Sequence, residues 1–321
     1  MKTQDEFEDY YNIYWVFTQL CNDKCDHCYN NSGPQGKRIS HEDCMAIIDN
    51  LPQRLQHLIL SGGEPLADKK LLYAILERLG EKYGDSLHIT LQFNGDLLTP
   101  KVLDELIDKG VDQFSIASID RYHKKQGARK EVLSELFESR GIGLMGREEN
   151  LDKEGRDTLK QRNLIYGFFG ATEDMWLGGN WARGRALKKG IWLKDGTHNF
   201  CNIHSGGRGF LGRNGENIIQ EISIQLWAIN PCCPGTASAM GDARTEKVTD
   251  VLTRMSKHEV MRKINQGDAY GMGESIGIDA QEGLKRSIEL GNVCLWCDEF
   301  FTKHYDMKTQ QPITKDETVR P

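Results

Sequence analysis

Cys21-Asn22-Asp23-Lys24-Cys25-Asp26-His27-Cys28 sets the reading of the whole chain. These three cysteines follow an aromatic-rich, extended segment at residues 12–19 (NIYWVFTQ). Cysteine thiolates hold iron–sulfur cubanes, normally four to a cluster. A local run of three leaves one iron open to a substrate or cofactor, as an open zinc site does. The competing chemistry is a zinc knuckle or a set of structural thiols. Zinc sites usually pair two C-x2-C-like units around one ion. Here no fourth cysteine or close histidine of the usual spacing accompanies the run, and His27 lies inside it.

Beyond the cysteines, Ser40-His41-Glu42-Asp43 reads as a helix start of the S-x-x-D kind, with Met45, Ile47 and Ile48 inward to about Leu51. Cys44 in that helix reads as a small buried hydrophobe. A strand is expected at 57–61, then Gly62-Gly63-Glu64-Pro65, then a helix at 69–83. Two glycines after a strand let backbone approach a ligand closely, and the Glu64 carboxylate can accept from an ammonium group. A plain strand-to-helix turn would favour the same residues. The pattern repeats: strand 87–93, Asn94-Gly95-Asp96, a cap at Thr99 with Pro100, and a helix with Val102, Leu103, Leu106 and Ile107 at helical spacing. A strand at 113–118 then ends in Ser118-Ile119-Asp120, and a helix is expected over 131–139. Alternating strands and helices with polar residues at the strand C-termini predict a parallel α/β barrel with its site on the C-terminal rim. Residues 140–162 are glycine- and charge-rich and read as an irregular crossover plus a polar helix, with 163–170 (NLIYGFFG) as the last barrel strand.

C-x3-C-x2-C followed by GGEP resembles the radical S-adenosylmethionine (SAM) enzymes. That resemblance implies an α/β fold, a partial (β/α)6 TIM-type barrel, with a [4Fe-4S] cluster held by Cys21, Cys25 and Cys28 and SAM on its open iron. It implies that Gly62, Gly63 and Glu64 receive the amino group of SAM. Asn94 and Ser118 then fall where the methionine and ribose parts are contacted, Asp120 is carried with them, and the backbone near His27 meets adenine. Trp181-Ala182-Arg183-Gly184-Arg185-Ala186 resembles a GRA-containing element of many relatives, in which Arg183 or Arg185 would pair with a cofactor carboxylate.

Five cysteines lie further on: Cys201, Cys232, Cys233, Cys294 and Cys297. A hairpin is expected between the first of them and the pair, with its turn at Gly212-Arg213-Asn214-Gly215 and its return strand at 217–224. A helix-like stretch covers 248–264, before Cys294-Leu295-Trp296-Cys297. One cysteine before the hairpin, one after it and a distant C-x2-C make four ligands, for a second cubane or for structural zinc. The arrangement resembles the auxiliary-cluster (twitch/SPASM-like) domain of some radical SAM enzymes, which implies a division into residues 1–190 and 191–321 and one auxiliary [4Fe-4S] cluster. Peptide epimerases of that superfamily also have adjacent cysteines followed by a terminal C-x2-C. By that resemblance Cys232 is a ligand with Cys201, Cys294 and Cys297, and Cys233 is a hydrogen-atom donor.

The implied chemistry is reductive cleavage of SAM to a 5′-deoxyadenosyl radical that removes a substrate hydrogen. Two outcomes compete: epimerisation of a peptide or sugar-like substrate with Cys233 returning hydrogen, or oxidation of an alcohol with the auxiliary cluster taking an electron. A sugar-alcohol dehydrogenase resemblance at Asn94-Gly95-Asp96 keeps the second open. A non-enzymatic electron carrier is the alternative of another class. The partners implied are SAM, a peptide or small-molecule substrate, and an electron donor such as flavodoxin or ferredoxin. The net charge of −6 over 321 residues gives no general nucleic-acid footprint. No apolar run is long enough for a membrane span. The acidic start has no signal-peptide character, and nine cysteines without one favour metal binding in a reducing cytoplasm.

Overall fold

The computed structural model describes residues 3–117, 128–145, 164–170, 179–212 and 219–313. Its centre is a nine-stranded sheet. The first strands are β1 (Asp9–Thr18), β2 (Arg54–Gly62), β3 (His88–Phe93) and β4 (Gln113–Ala117), paired in parallel in that order. Helices α2 (His41–Asn50), α3 (Lys69–Tyr83) and α4 (Pro100–Asp108) make the crossovers. A short helix, α1 (Gln4–Phe7), precedes β1. Two expected caps are present: Asp43 N–H donates to Ser40 Oγ (3.0 Å), and Val102 N–H to Thr99 Oγ1 (3.3 Å).

Alternation along the strands gives the sheet two different faces. Ile13, Trp15 and Phe17 of β1, with Leu58, Leu60, Leu91 and Phe114, join one core under the helices, against Ile47, Leu72, Leu76, Leu103 and Phe137. Tyr14 and Val16 point the other way and belong to a second cluster with Trp181, Phe200, Cys233 and Cys294. That second face also carries Asn12, His57, Ser61, His88, Thr90 and Gln92, positions that strand register places beside one another. Cys44 is fully buried in the first core, as a small hydrophobe.

Two expectations about topology are corrected. Helix α5 (Ala128–Glu138) leads to β5 (Gly143–Leu144), a strand of only two residues, and β6 (Ile165–Phe169) pairs directly with β4. β5 lies outside β6, so the segment at 163–170 fills the fifth place in the sheet, not the last. The reason is burial: Tyr166 stacks on Phe137 at 4.6 Å between ring centres, while both residues of β5 are exposed. At the opposite edge β7 (Glu221–Gln225) pairs in parallel with β1. It is therefore not the return strand of a hairpin centred on 212–215; residues 213–218 of that turn lie outside the described set. Ile222 and Ile224 are fully buried on the helix-covered face, which selects this pairing. The hairpin instead joins β7 to β8 (Ala228–Asn230) across Leu226-Trp227, and β9 (Gly241–Asp242) adds a further antiparallel strand. Leu226 has φ 58°, a left-handed turn held by its N–H to Val16 O (2.7 Å) and by Trp15 Nε1–H to its own carbonyl (2.9 Å).

Helix α6 (Gly184–Lys189) precedes this hairpin. The stretch expected as one helix at 248–264 is two, α7 (Val248–Met255) and α8 (Glu259–Asn265). Hydroxyls bonding back onto the ladder, Thr253 to Thr249 O and Ser256 to Thr253 O, mark the break. Helices α9 (Ala280–Leu290) and α10 (Val293–Lys303) and a short β10–β11 pair (Tyr305–Asp306, Gln311–Pro312) follow. Among the described residues no helix is long and apolar enough to cross a membrane.

Candidate radical SAM site

β1 delivers the chain to the C-terminal edge of the sheet, and the cysteine loop starts there. Cys21, Cys25 and Cys28 line one cavity together with His27, Gly62, Gly63, Asn94, Tyr14, Tyr29 and Cys233. The loop is fastened from behind by the segment before and within α6. Arg185 donates from Nε to Cys25 O (2.7 Å) and from Nη2 to Ser32 O (2.8 Å), and its backbone N–H donates to Cys28 O (3.0 Å). Asn180 Nδ2 donates to His27 O (2.8 Å). Gly184 has φ 52°, and a β-carbon there would lie 2.2 Å from Tyr29 O, so only glycine allows this close crossing.

The thiols suit a cluster. Asp23 N–H points at Cys21 Sγ (3.4 Å) and Ser32 N–H at Cys28 Sγ (3.3 Å), the kind of donor that tunes a cluster thiolate. Burial raises Cys21 to about 12, against the pull of the Asp23 N–H, and pushes Cys25 up further, where the Asp23 carboxylate and the neighbouring thiols add to it. These groups are costly to ionise unless a metal takes the charge. Among the described residues no three His, Cys, Asp or Glu side chains converge closely enough for a single metal ion. A cubane binds each thiolate at a different iron and spreads its ligands wider.

The glycine motif has a packing reason. Gly63 N–H donates to Thr18 O (2.8 Å), and a β-carbon on Gly63 would meet Leu20 O at 2.4 Å. Gly62 and Gly63 line the cavity; Glu64 does not. Glu64 is fully buried beneath the rim, where Oε1 accepts from Leu66 N–H (3.0 Å) and Oε2 from Asn94 N–H (2.7 Å). Burial raises its carboxyl to about 7, against the pull of those two donors. It ties the GGEP turn to the turn of Asn94. Asn94 Nδ2 donates to Asn22 Oδ1 (2.9 Å), Asn22 Nδ2 to Asp96 Oδ2 (3.1 Å), and Arg129 pairs with Asp96. Ser118 and Asp120 lie outside the described residues.

The second cysteine set gathers around Arg183. Cys201 sits in a single 3-10 turn (Phe200–Asn202) capped by Asn199, and Cys294 and Cys297 are one turn apart on α10, whose cap is Asn292. The Arg183 guanidinium pairs with Asp298 (2.8 Å) and donates to Cys294 O (3.1 Å). It acts on Cys201, Cys232, Cys294 and Cys297 alike, lowering thiols that burial otherwise raises. Arg183 and Arg185 are both bound to backbone carbonyls, Arg183 also to Asp298, and Arg185 lines the cavity of the three cysteines. Cys233 faces elsewhere. Its N–H donates to Ser205 O (2.9 Å), its carbonyl accepts from Gln225 Nε2 (2.6 Å), and its Sγ lies 3.3 Å from the Tyr29 hydroxyl.

Residues 15–139 match the Radical SAM superfamily. This part of the chain is a radical SAM domain. An AdoMet-dependent heme synthase of Methanosarcina barkeri (strain Fusaro / DSM 804) is 31% identical over 157 residues, 47% of this chain and 43% of that enzyme. A GTP 3′,8-cyclase of Rhizobium leguminosarum bv. trifolii (strain WSM2304) is 31% identical over 108 residues, 31% of this chain and 30% of that enzyme. The chain thus spans less than half the length of either relative. Among solved structures, BtrN in complex with AdoMet and 2-DOIA is similar with TM-score 0.47 and 14% identity, over 81% of this chain and 89% of BtrN. Native anSMEcpe with bound AdoMet and Cp18Cys peptide gives TM-score 0.44 and 13% identity, over 88% and 98%.

Several residues that line the candidate site were not singled out in the sequence. Tyr14 is on the cavity face of β1, which period-2 alternation from Trp15 would have shown. Tyr29 directly follows Cys28, but its partner is 204 positions away. Ser61, Gln92 and Asn180 have no local pattern that sets them apart.

Proposed function

We propose that the chain is a radical SAM enzyme that inverts a stereocentre, in a peptide or sugar-like substrate, with Cys233 returning the hydrogen atom. Cys21, Cys25 and Cys28 would hold the SAM-binding [4Fe-4S] cluster, and Cys201, Cys232, Cys294 and Cys297 one auxiliary cluster in a C-terminal unit from about residue 191. His27, Gly62, Gly63 and Asn94 line the space that SAM would take, and Glu64 supports that wall from below. When bound, SAM and its cluster supply a 5′-deoxyadenosyl radical that removes a hydrogen atom from an unactivated C–H bond, chemistry the protein itself cannot provide. The chain's part is to aim the substrate, keep water away and present a weak S–H bond.

The observation that carries the reading is the divergence of two adjacent cysteines. Cys232 interacts electrostatically with Arg183, Cys201, Cys294 and Cys297, while Cys233 lines the cavity of Cys21, Cys25 and Cys28.

Iron per chain after anaerobic reconstitution tests the assignment. Two cubanes give about eight irons, and loss of one gives about four. Cys233→Ala is expected to keep its iron and Cys232→Ala to lose about half. Iron loss on Cys233→Ala would make that residue a ligand and shift the reading to dehydrogenation. Absence of 5′-deoxyadenosine with SAM and dithionite would sink the enzyme reading altogether.

A further inference from the structure

The reaction above leaves one contact unused, the phenol of Tyr29. Its hydroxyl lies 3.3 Å from Cys233 Sγ and 3.2 Å from the Tyr14 hydroxyl. The Tyr14 hydroxyl reaches Ser61 Oγ (2.8 Å) and Gln92 Oε1, and Ser61 Oγ donates to Gln92 Oε1 (2.9 Å). Gln92 Oε1 is an acceptor only, so it draws the Tyr14 and Ser61 protons toward itself. The Tyr14 oxygen is then left as an acceptor, and the Tyr29 proton has two places to go: Tyr14 Oη or Cys233 Sγ. Both phenols line the cavity wall, Tyr14 buried and Tyr29 half-buried, and the Tyr29 ring is held edge-on to Trp181, with ring centres 4.7 Å apart.

A donor thiol works once and then has to be restored. We infer that Tyr29 restores it, as a catalytic residue that gives its hydroxyl hydrogen atom to the Cys233 thiyl radical. The inference rests on Cys233 being the donor. In the step the Tyr29 O–H bond breaks, the Cys233 S–H bond forms, and the unpaired electron moves from sulfur to the phenolic oxygen. Phenol O–H and thiol S–H bonds are close in strength, so neither side traps the radical. The Tyr29 oxyl is then discharged by one electron and one proton, the proton coming from solvent water. The electron comes from the low-potential one-electron reductant that SAM cleavage already requires. Once Tyr29 no longer has a proton to offer, the Tyr14 hydroxyl, turning from Gln92 Oε1 to the phenolic oxygen, supplies the hydrogen bond that holds the oxyl.

The test uses the full chain with its clusters reconstituted, SAM and dithionite in D2O, and no substrate. Without substrate the nearest exchangeable donor quenches the deoxyadenosyl radical. Wild type is expected to put deuterium into 5′-deoxyadenosine and to show, on freeze-quenching, an EPR signal that narrows when tyrosine is ring-deuterated. Tyr29→Phe keeps the ring against Trp181 and is expected to retain deuterium incorporation in the first equivalent while losing the tyrosyl signal. Tyr14→Phe is expected to keep the signal with shifted g-anisotropy, because the oxyl loses its hydrogen-bond partner. A tyrosyl signal that survives Tyr29→Phe would overturn the relay. So would deuterium incorporation in wild type with no tyrosine-derived radical. Wild-type deuterium levels in Cys233→Ala would instead remove the donor reading on which the relay rests.

Discussion

Arg185→Ala is the substitution most directly predicted by the geometry of the cysteine loop. The guanidinium makes two charge-assisted bonds, to Cys25 O at 2.7 Å and Ser32 O at 2.8 Å. Such bonds contribute about 1.5–3 kcal/mol each. They do not fail equally. The bond to Ser32 is buried, so that carbonyl is left without a partner; the bond to Cys25 is only part-buried, and water replaces it. The net loss is therefore about 3 kcal/mol. For a chain of this size that lowers the melting temperature by about 5 °C. Arg185→Lys, which has one donor point instead of a fork, is expected to lose roughly half as much. The assay is thermal unfolding of the cluster-free chain, with amide exchange followed at Ser32, whose N–H points at Cys28 Sγ. Exchange at Ser32 should quicken more than exchange in α3. An Arg185→Ala protein that melts within about 1 °C of wild type, with unchanged exchange at Ser32, would refute the idea that this side chain fastens the loop.

Other expectations follow from single residues. The Glu64 carboxyl is raised to about 7, so the folded chain binds more protons than the unfolded one between about pH 4.5 and 7. Stability should fall as pH rises through that window, by about 3 kcal/mol from this group, and Glu64→Gln should flatten the slope in urea melts. Arg183→Met leaves Asp298 and the second thiol set without their cation and should cost about 3–5 kcal/mol, read from the denaturant midpoint, with loss of about half the iron. Gly63→Ala brings a methyl to 2.4 Å from Leu20 O; an overpacking cost of about 1–3 kcal/mol and poor iron uptake after reconstitution are expected.

The sequence was readable where chemistry is local. The crossovers from β1 to β4 announce themselves through Ser40, Thr99-Pro100 and the strand-end glycines, because caps and turns are decided within four residues. The loop Cys21–Cys28 and Gly62-Gly63 were legible for the same reason. Order within the sheet was not. Nothing near Ile165 says that it will pair with β4 in place of Gly143-Leu144; the stack of Phe137 on Tyr166 decides it, across 29 positions of chain. Nor does Glu221–Gln225 reveal that its neighbour is β1, over 200 residues earlier. Arg183 and Arg185 looked like cofactor contacts because a basic residue near a cofactor loop suggests charge pairing. What the local sequence did not show is that both also bind distant backbone carbonyls, and Arg183 the second thiol set. Glu64 shows the same limit: its type and place were evident, its two N–H partners were not.

The parallel pairing of β7 with β1 has a consequence for how the molecule keeps its two thiol sets in step. β1 ends three residues before Cys21, and β7 runs through the two-residue turn and β8 to Cys232 and Cys233. The loop Cys21–Cys28 and the pair Cys232-Cys233 thus start from adjacent rows of one hydrogen-bonded lattice, about 4.8 Å apart. Their spacing is set in whole steps, like teeth on a rack, and does not depend on a flexible joint. A slip of one residue in β7 would turn Ile222 and Ile224 away from the apolar core and put Ser223 in their place. Chain added after Met240 or removed from the crossover between β5 and β6 leaves that gauge untouched. A lineage carrying this sheet would be free to remodel what the cavity admits while the distance from the first cysteine loop to Cys232-Cys233 stays fixed.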